Sequence, residues 1–462
     1  MKKLTPFLIC LLAVFVGALF VFKYIGVTEP LLYYAQFENT QEAAPEDNGE
    51  EAANTYASST IKDILNTVTV PAYYNCVDED KINKTRDQGE LGACWAFAAN
   101  TALESRLLPA EKWDFSEDHM IYNNGFTTDE TGGGDFYMAV AYLSAWKGPV
   151  PEEQDPYNDG ETNPNASVVK HLQETVFLDD GDFETIKKMV YTYGAVESSI
   201  YIAIDEGQYI DETYYDRDNY SYCYDGSQEA NHEIVIIGWD DDYSADNFKT
   251  GASSDGAFIC LNSWGSEFGN NGIFYVSYDD ICIGKTAEVY TGIEDSSNYD
   301  NIYQYDEHGW VGRMGFDEST AFFANVYTAN GNETLKAVSF YATDDDTTYS
   351  VYVCRNFSSP DDLLTGRTLC AQGAFSYAGY YTVKLDKSID LSAGDRYAVI
   401  VEIDTPLSQH PVAIEMDAGD DRTGEIVFEG KESYISLNGR TWENTQSESM
   451  CNVCLKAFTV DR

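Results

Sequence analysis

The sequence predicts an α+β protein in which a domain of mixed helices and strands precedes an all-β sandwich. Its 462 residues suffice for two or three domains, and 44% of them are hydrophobic, which is ample for large cores. Helical and strand patterns mix up to about residue 293. Beyond it, short runs of alternating polar and apolar residues are separated by Gly- and Asp-rich turns, a pattern typical of a sandwich.

The charge balance excludes one class of partner. The chain has 28 Lys and Arg residues against 78 Asp and Glu residues, which gives a net charge of -50. Such a surface repels DNA and RNA, so we expect no nucleic-acid partner. Otherwise the charge indicates a soluble surface with a slight bias toward cationic partners.

The N-terminal segment predicts export. A basic start, MKK, is followed by an almost unbroken apolar run at 6–22. The run is long for a signal peptide and short for a spanning helix, so residues 1–28 are a signal peptide or an N-terminal membrane anchor. Both alternatives put the body of the protein outside the cytoplasm. Residues 29–66 are acidic and rich in Ala, Asn and Ser, which predicts a flexible stalk or short pro-segment.

The first folded domain is expected over 67–293, with ordered structure beginning near Val68. Helix starts are predicted at Cys94 and Ser116. The other predicted elements are helices over 136–146 and 183–193 and strands over 194–202, 231–239, 257–261 and 272–278. In the second domain, the predicted strands cover 335–341, 348–353, 380–385 and 396–403.

Cys94 opens a predicted helix within the stretch QGELGACWAF at 88–97. The partial positive charge of a helix N-terminus favours a thiolate, so we expect a lowered thiol pKa. Gly89 and Gly92 indicate a loop bent tightly against the cysteine. The stretch therefore suits a nucleophile for acyl transfer, and it equally suits a small cysteine buried in a core.

A nucleophilic cysteine needs a base, and His232 is the best placed of the five histidines. It opens a strongly apolar strand, whereas the others lie in helical or polar contexts or in the second domain. An imidazole beside Cys94 takes the thiol proton, and a side-chain amide can orient the ring. Asn262, at the end of a neighbouring apolar strand, suits that role. The ordered set Gln88, Cys94, His232 and Asn262 is much harder to obtain by chance than any one member.

The other cysteines predict disulfides. The chain has ten cysteines, and apart from Cys94 and the N-terminal Cys10 eight remain, enough for up to four disulfides in an oxidising compartment. Cys451 and Cys454 form a C-x-x-C without a second such pair or a histidine pair nearby. We therefore expect a strand segment with one or two disulfides there, and neither a zinc nor a redox site.

These residues resemble those of the papain-like cysteine proteases, the C1 peptidase family. The resemblance covers roughly 67–293 and implies a two-lobed fold with the active site in the cleft between the lobes. It places Cys94 on a mainly helical lobe and His232 and Asn262 on a β-rich lobe. The matching pieces are DQGELGACWAF at 87–97, NH at 231–232, GW at 238–239 and NSWG at 262–265.

The resemblance also implies supporting roles. Gln88 would donate to the oxyanion together with the backbone N–H of Cys94, and Trp264 would shield the His–Asn hydrogen bond from water. Gly133 and Gly134 would pair with the backbone of an extended substrate. The family implies neither a metal nor a cofactor.

Departures from the family pattern are informative. Many relatives carry a cysteine at the position of Leu91, bridged to a second one that is missing from TGGG at 131–134. Because both cysteines of this pair are absent together, the sequence indicates an intact variant of the family and not a decaying enzyme. Glu233 replaces a small residue that borders the S2 pocket, so we hypothesise that it admits basic or hydrogen-bonding P2 side chains. The helical inhibitory propeptide of many relatives is also absent from the sequence.

Residues 294–462 look like the lectin-like domain often found after bacterial and archaeal papain-like proteases. Carbohydrate binding is implied only by that analogy, and an interaction or packing domain is an equal alternative. We assign no sugar-contacting residue.

The combined interpretation is a secreted or surface-anchored cysteine endopeptidase that hydrolyses proteins or peptides through a thioester acyl-enzyme. One alternative is a surface adhesin that binds through the sandwich and keeps the protease fold as a scaffold. The intact Cys94, His232 and Asn262 argue against it. Another is a Cys–His enzyme of a different fold, such as a cell-wall amidase, which NSWG and the placement of Gln88 disfavour.

Overall fold

The protein is represented by a computed structural model. It describes the backbone of Tyr33–Gln36 and residues 61–127, 132–179, 182–204, 210–419, 422–423, 426–428 and 430–462. The predicted export segment at 1–28 and most of the predicted stalk at 29–66 lie outside these residues. Within them, no helix has both the length and the apolar character needed to cross a membrane.

Helices cluster in the first domain and begin at capping residues. Ser116, Asp135 and Asp182 each accept a hydrogen bond from the backbone N–H three residues on, which satisfies an otherwise unpaired donor. The helix starts predicted at Cys94 and Ser116 are confirmed. The helices are α1 Ile61–Leu65, α2 Cys94–Leu107, α3 Glu117–Asn123, α4 Phe136–Ser144, α5 Phe183–Tyr193, α6 Asp362–Thr365 and α7 Thr445–Glu448.

Strands outnumber helices in the described chain, and each strand predicted from the sequence is present. The strands are β1 Tyr33–Gln36, β2 Tyr73–Asn75, β3 Lys170–Asp179, β4 Val196–Ile200, β5 Tyr215–Asp216, β6 Ser221–Tyr222, β7 His232–Asp240, β8 Ala257–Leu261, β9 Ile273–Ser277, β10 Thr286–Asp295, β11 Asn301–Tyr303, β12 Gly312–Gly315, β13 Thr320–Thr328, β14 Glu333–Ala342, β15 Thr347–Cys354, β16 Arg367–Phe375, β17 Gly379–Leu391, β18 Arg396–Asp404, β19 Val412–Met416, β20 Ser433–Ser436, β21 Glu443–Asn444, β22 Cys451–Val453 and β23 Leu455–Asp461.

One large sheet runs through both domains. Its strand order is β11-β23-β14-β17-β3-β10-β4-β7-β8-β9-β6-β5, with β2 added beside β7. The domains join where β17 pairs antiparallel with β3, with Gly379 opposite Val176. A Cβ on Gly379 would lie 2.2 Å from the carbonyl oxygen of Thr175, so this close junction requires glycine. The two domains therefore share a continuous hydrogen-bonded backbone.

The second domain is a β-sandwich. A six-stranded sheet, β16-β15-β18-β13-β20-β21, packs on the β14 and β17 part of the large sheet. The contact is a single apolar core in which Val351 and Val399 meet Val338 and Phe340. A third sheet, β1-β12-β19-β22, adds further apolar side chains to this core. In it, β1 from the predicted stalk pairs parallel with β12.

The first domain has the predicted helical and β-rich lobes. Helix α2 is buried on nearly all sides, with Trp95, Phe97 and Leu103 each at most 3% exposed. It packs against β7, whose residues are buried from His232 to Trp239. The N-terminus of α2 therefore meets the start of β7, which brings the predicted nucleophile and base to one place.

The predicted disulfides are wrong for the described part of the chain, where all nine cysteines are free thiols. Cys451 and Cys454 show the physical reason. Extended chain advances about 3.3 Å per residue, so two residues three apart are about 10 Å apart and point to opposite faces. A disulfide needs Cα atoms within about 7 Å. The Cys454 thiol instead donates to the carbonyl oxygen of Gly309 at 3.1 Å.

Candidate active site

Cys94 is the first residue of α2 and is partly buried. The helix start is held by its neighbour Trp95, which is 2% exposed. Gly134 lies directly on the Trp95 ring, because a Cβ at Gly134 would come within 2.7 Å of it. Glycine is thus required for the 132–135 segment to run close to the cysteine.

His232 and Asn262 are joined by a hydrogen bond. The ring Nε2 of His232 lies 2.8 Å from Asn262 Oδ1, which also accepts the backbone N–H of Ser263 at 2.8 Å. Because the amide oxygen is the acceptor for both, Nε2 carries the proton and donates. In the neutral ring this leaves Nδ1 as a proton acceptor.

This hydrogen bond is shielded from solvent. His232 is 8% exposed and Asn262 is 2% exposed. The Trp264 ring packs against His232 with ring centroids 4.9 Å apart. Phe268 in turn packs edge-on against Trp264, with centroids 5.2 Å apart. The shielding role of Trp264 stays a prediction.

The side-chain amide of Gln88 uses one of its two N–H groups in a hydrogen bond. Its Oε1 accepts the Ser263 hydroxyl at 2.6 Å, and its Nε2 donates to the carbonyl oxygen of Leu91 at 2.8 Å. A side-chain amide has two N–H groups, so one donor remains. The sequence analysis missed two residues here, Ser263 and Tyr157. Ser263 lies inside NSWG, whereas Tyr157, whose hydroxyl donates to the backbone oxygen of Gln88 at 2.7 Å, has no signal in the sequence.

A cavity of about 280 Å³ opens beside these residues. Cys94 and His232 share its wall with the 134–136 segment and with Glu233. Gly133, next to this segment, has a φ of +74°, which favours glycine. Cys94, His232, Glu233 and Gly134 thus line the cavity, Asn262 and Trp264 contact His232, Gly133 adjoins Gly134, and Gln88 is linked to this group through Ser263, the neighbour of Asn262. In the described chain, no group of three or more side chains is arranged to hold a metal ion.

Burial controls the charge of the two central groups. It raises the pKa of the Cys94 thiol to about 11, although the backbone N–H of Glu233 acts in the opposite direction. Burial lowers the pKa of His232 to about 4, against the effect of its bond to Asn262. The expectation of a lowered thiol pKa is therefore wrong for this state, because desolvation of the thiolate outweighs the helix dipole.

Glu233 lines the cavity, and one of its two carboxylate oxygens accepts a hydrogen bond. Its Oε1 accepts the Ser199 hydroxyl at 2.7 Å, while Oε2 is buried without a hydrogen-bond partner. Burial, with a smaller contribution from the negative charge of Asp135, raises the pKa of Glu233 to about 7. Burial thus favours the protonated form of this carboxyl group.

Two further acids lie behind Glu233. Glu197 on β4 stands directly opposite Glu288 on β10, and both are at most 1% exposed. Burial raises both pKa values well above the usual range, with added repulsion from Glu288 on Glu197 and from Glu233 and Asp135 on Glu288. The sequence analysis missed them, although a single Glu inside each of the apolar strands at 195–200 and 286–290 was a signal.

Both domains match known families. Residues 70–293 match the papain family cysteine proteases, and residues 302–459 match the lectin-like domain. The resemblance inferred from Cys94, His232 and Asn262 is thereby confirmed at the level of the family.

Solved structures of the clostridial cysteine protease Cwp84 share the two-domain arrangement. The structure after propeptide cleavage superposes with a TM-score of 0.73 at 27% identity, covering 84% of this chain and 99% of that chain. A structure of its cysteine protease and lectin-like domains, from Clostridium difficile, also gives 0.73 at 27% identity, covering 86% of this chain and 90% of that chain. The predicted fold class, a papain-like fold followed by a β-sandwich, is confirmed.

Curated relatives match the first domain. Viral cathepsin of Heliothis zea nuclear polyhedrosis virus is 28% identical over 218 residues, which is 45% of this chain and 53% of that protein. Cathepsin L of Sarcophaga peregrina is 25% identical over 242 residues, which is 51% of this chain and 65% of that protein. The chain thus spans between half and two thirds of the length of these relatives. Residues 70–293 belong to the papain family of cysteine proteases, and residues 302–459 form a lectin-like domain.

Proposed function

We propose that the protein is a cysteine endopeptidase in which Cys94 is the nucleophile, His232 the base and Asn262 the residue that orients the base. One observation carries the proposal: the 2.8 Å bond from His232 Nε2 to Asn262 Oδ1, on a ring that lines the same cavity as Cys94. It holds the imidazole in the tautomer whose Nδ1 accepts a proton.

The reaction begins from neutral groups. The thiol proton of Cys94 passes to His232 Nδ1 as Sγ bonds to the peptide carbonyl carbon, and the carbonyl becomes an oxyanion. Although burial disfavours each charge alone, a thiolate beside an imidazolium offsets much of both penalties. The imidazolium then protonates the leaving amine, the C–N bond breaks, and a thioester remains. Water then bonds to the thioester carbon as it gives a proton to His232, the C–S bond breaks, and His232 returns that proton to the Cys94 sulfur, while the carboxylic acid product loses its own proton to solvent.

The oxyanion is stabilised by two N–H donors. The spare Nε2 hydrogen of Gln88 and the backbone N–H of Cys94 are the proposed pair, and the Ser263 hydroxyl fixes the orientation of the Gln88 amide. Preorganised donors of this kind are worth about 3–4 kcal/mol of transition-state stabilisation each. Trp264 keeps water from the His232–Asn262 bond.

Substrate binds along the 132–135 segment as an extended strand. Gly133 and Gly134 offer backbone hydrogen bonds without side chains in the way. Glu233 is the proposed P2-binding residue, because it lines the cavity that adjoins Cys94 and its Oε2 has no hydrogen-bond partner.

We propose that the protein acts at the cell surface. The apolar segment at 6–22 supports export, either by cleavage or by retention as an anchor. The structurally similar Cwp84 is a surface layer associated protein, which supports the same location. The lectin-like domain is proposed to bind a carbohydrate or another cell-surface ligand.

The test is covalent labelling with an epoxysuccinyl thiol-protease inhibitor. We expect reduced wild-type protein to be labelled at Cys94 and to hydrolyse peptides, and Cys94→Ala to do neither. Cys260→Ala, which alters a fully buried thiol, is the matched control and should label as wild type does. Folded wild-type protein that is neither labelled at Cys94 nor active would favour the adhesin alternative.

A further inference from the structure

The lectin-like domain contacts the peptidase domain beside the substrate cavity. The contacted segment connects α3 to α4, and its described parts are 124–127 and 132–135. It ends at Gly133, Gly134 and Asp135, and the last two of these line the cavity. The sequence assigned no role to any residue of the second domain, so these contacts were not anticipated.

Arg422 of the lectin-like domain makes two of the contacts. Its backbone oxygen accepts the N–H of Thr127 at 3.1 Å, and its guanidinium Nη1 lies 3.3 Å from Asp135 Oδ2. The other oxygen of Asp135 caps α4 by accepting the N–H of Met138 at 3.2 Å. Arg422 thus neutralises an acid that stands at the cavity next to Glu233.

His308 makes the third contact. Its Nε2 lies 2.8 Å from the carbonyl oxygen of Gly125, and its Nδ1 lies 2.9 Å from Glu415 Oε1. Both ring nitrogens thus face oxygen acceptors, one in each domain. Glu415 is itself held by Asn452, whose amide donates to Oε2 at 2.6 Å. The Phe126 ring packs edge-on against His308 with centroids 4.8 Å apart.

A second ion pair closes the same junction. Lys147 donates to the carbonyl oxygen of Asn124 at 2.9 Å and lies 3.2 Å from Glu307 of the following domain. A shift of one domain against the other would break the hydrogen bonds between β3 and β17. It would also separate Trp146 from Phe458, whose stacked rings have centroids 5.3 Å apart. The contacts of Arg422, His308 and Lys147 therefore lie at an interface that is held in one arrangement.

We propose that the lectin-like domain completes the substrate-binding edge of the peptidase cleft, with Arg422 and His308 as positioning residues. They hold residues 125–127 and Asp135 so that Gly133, Gly134 and Asp135 meet the substrate in a single arrangement. The inference rests on the proposed peptidase function and extends it to the second domain. Loss of Arg422 leaves Asp135 unpaired and the edge less ordered, which weakens substrate binding while the chemistry at Cys94 stays the same.

The experiment uses the full chain and the variant Arg422→Gln. We expect KM for extended peptides to rise about tenfold, as for loss of a charge-assisted hydrogen bond, with kcat within about twofold. The rate of Cys94 alkylation by iodoacetamide, which does not use the substrate edge, should be unchanged. Arg422→Lys should restore most of the binding. Arg396→Gln is the matched control, because Arg396 pairs with Glu432 at 2.8 Å elsewhere in the same domain.

The outcomes separate this inference from the proposed function. Equal KM values for Arg422→Gln and Arg396→Gln would overturn the inference, whereas a wild-type protein without peptidase activity would overturn the proposed function. Should Arg422→Gln fail to fold, Asp135→Asn tests the same ion pair, since Asn still caps a helix. We then expect the same rise in KM, and an unchanged KM would overturn the inference equally.

Discussion

Two groups of buried acids, one in each domain, differ in whether a cation accompanies them. In the lectin-like domain, Lys456 Nζ lies 2.8 Å from Asp306 Oδ2 and donates to the Asp306 backbone oxygen at 2.8 Å, with both side chains at most 1% exposed. In the peptidase domain, Glu197, Glu233 and Glu288 are buried together. No described Lys or Arg lies within ion-pair distance of these three acids.

The protonation of the acids follows from this difference. Burial raises the pKa of Asp306 only to about 6, because the charge of Lys456 opposes the effect. Burial and repulsion raise the pKa of Glu233 to about 7 and those of Glu197 and Glu288 well above the usual range. An unpaired buried acid costs stability and is retained where function needs it. Lys456 therefore offsets the burial of the Asp306 charge, whereas the three acids have no such cation, and of the three Glu233 lines the cavity.

The largest expected effect on stability comes from removing Lys456, the cation of the buried pair with Asp306. Lys456→Met leaves Asp306 buried and unpaired, so we expect the free energy of unfolding to fall by about 3–5 kcal/mol. Chemical denaturation measures it. Lys384→Met, which breaks an exposed pair with Glu294 at 2.9 Å, is the control and should cost less than about 1 kcal/mol. Equal losses in the two variants would contradict the stabilising role of the buried pair.

The second effect is a pH dependence of stability. The pKa of Glu233 is higher in the folded state than in the unfolded state, so its contribution is fully present below about pH 4.5 and is lost as the pH rises through about 7. On going from pH 5 to pH 8.5, the free energy of unfolding of wild type should therefore fall by about 2 kcal/mol relative to that of Glu233→Gln. Thermal unfolding at both pH values measures the difference. Glu318→Gln, at an exposed position, should show no such change, and a matching change there would refute the assignment.

The smallest effect concerns substrate choice. An ionised Glu233 attracts a cation, so we expect kcat/KM at pH 8 to be about tenfold higher for P2 arginine than for P2 citrulline, its neutral analogue. The ratio should shrink at pH 5.5, where Glu233 is protonated, and should approach one in Glu233→Gln. A strict preference for aliphatic P2 residues that Glu233→Gln leaves unchanged would rule out the P2 role.

Local signals explain which predictions hold. The cap at Ser116 and the apolar alternation of β7 and β8 depend on neighbouring residues, so the sequence predicts their elements closely. The same holds for Gln88, Cys94, His232 and Asn262 as candidates, because each lies in a short motif. Their joint roles in catalysis remain a prediction that the inhibitor labelling tests.

Long-range contacts explain the rest. The thiol pKa was predicted in the wrong direction because the helix dipole is a local property, whereas desolvation depends on what packs around Cys94. The disulfides were predicted from a count of cysteines, whereas pairing requires two Cα atoms to lie close together in space. Arg422 reaches Asp135 across 287 positions of sequence, which no local pattern encodes.

The sequence was sufficient to identify the family, the two-domain order and the candidate nucleophile, base and orienting amide, because these are written as motifs and periodicities. Tertiary packing was needed for three things: the effect of burial on the pKa values of Cys94 and His232, the unpaired acids behind the cavity, and the contact of the lectin-like domain with the substrate edge. Each depends on burial or on the meeting of distant segments, and both are properties of the folded chain.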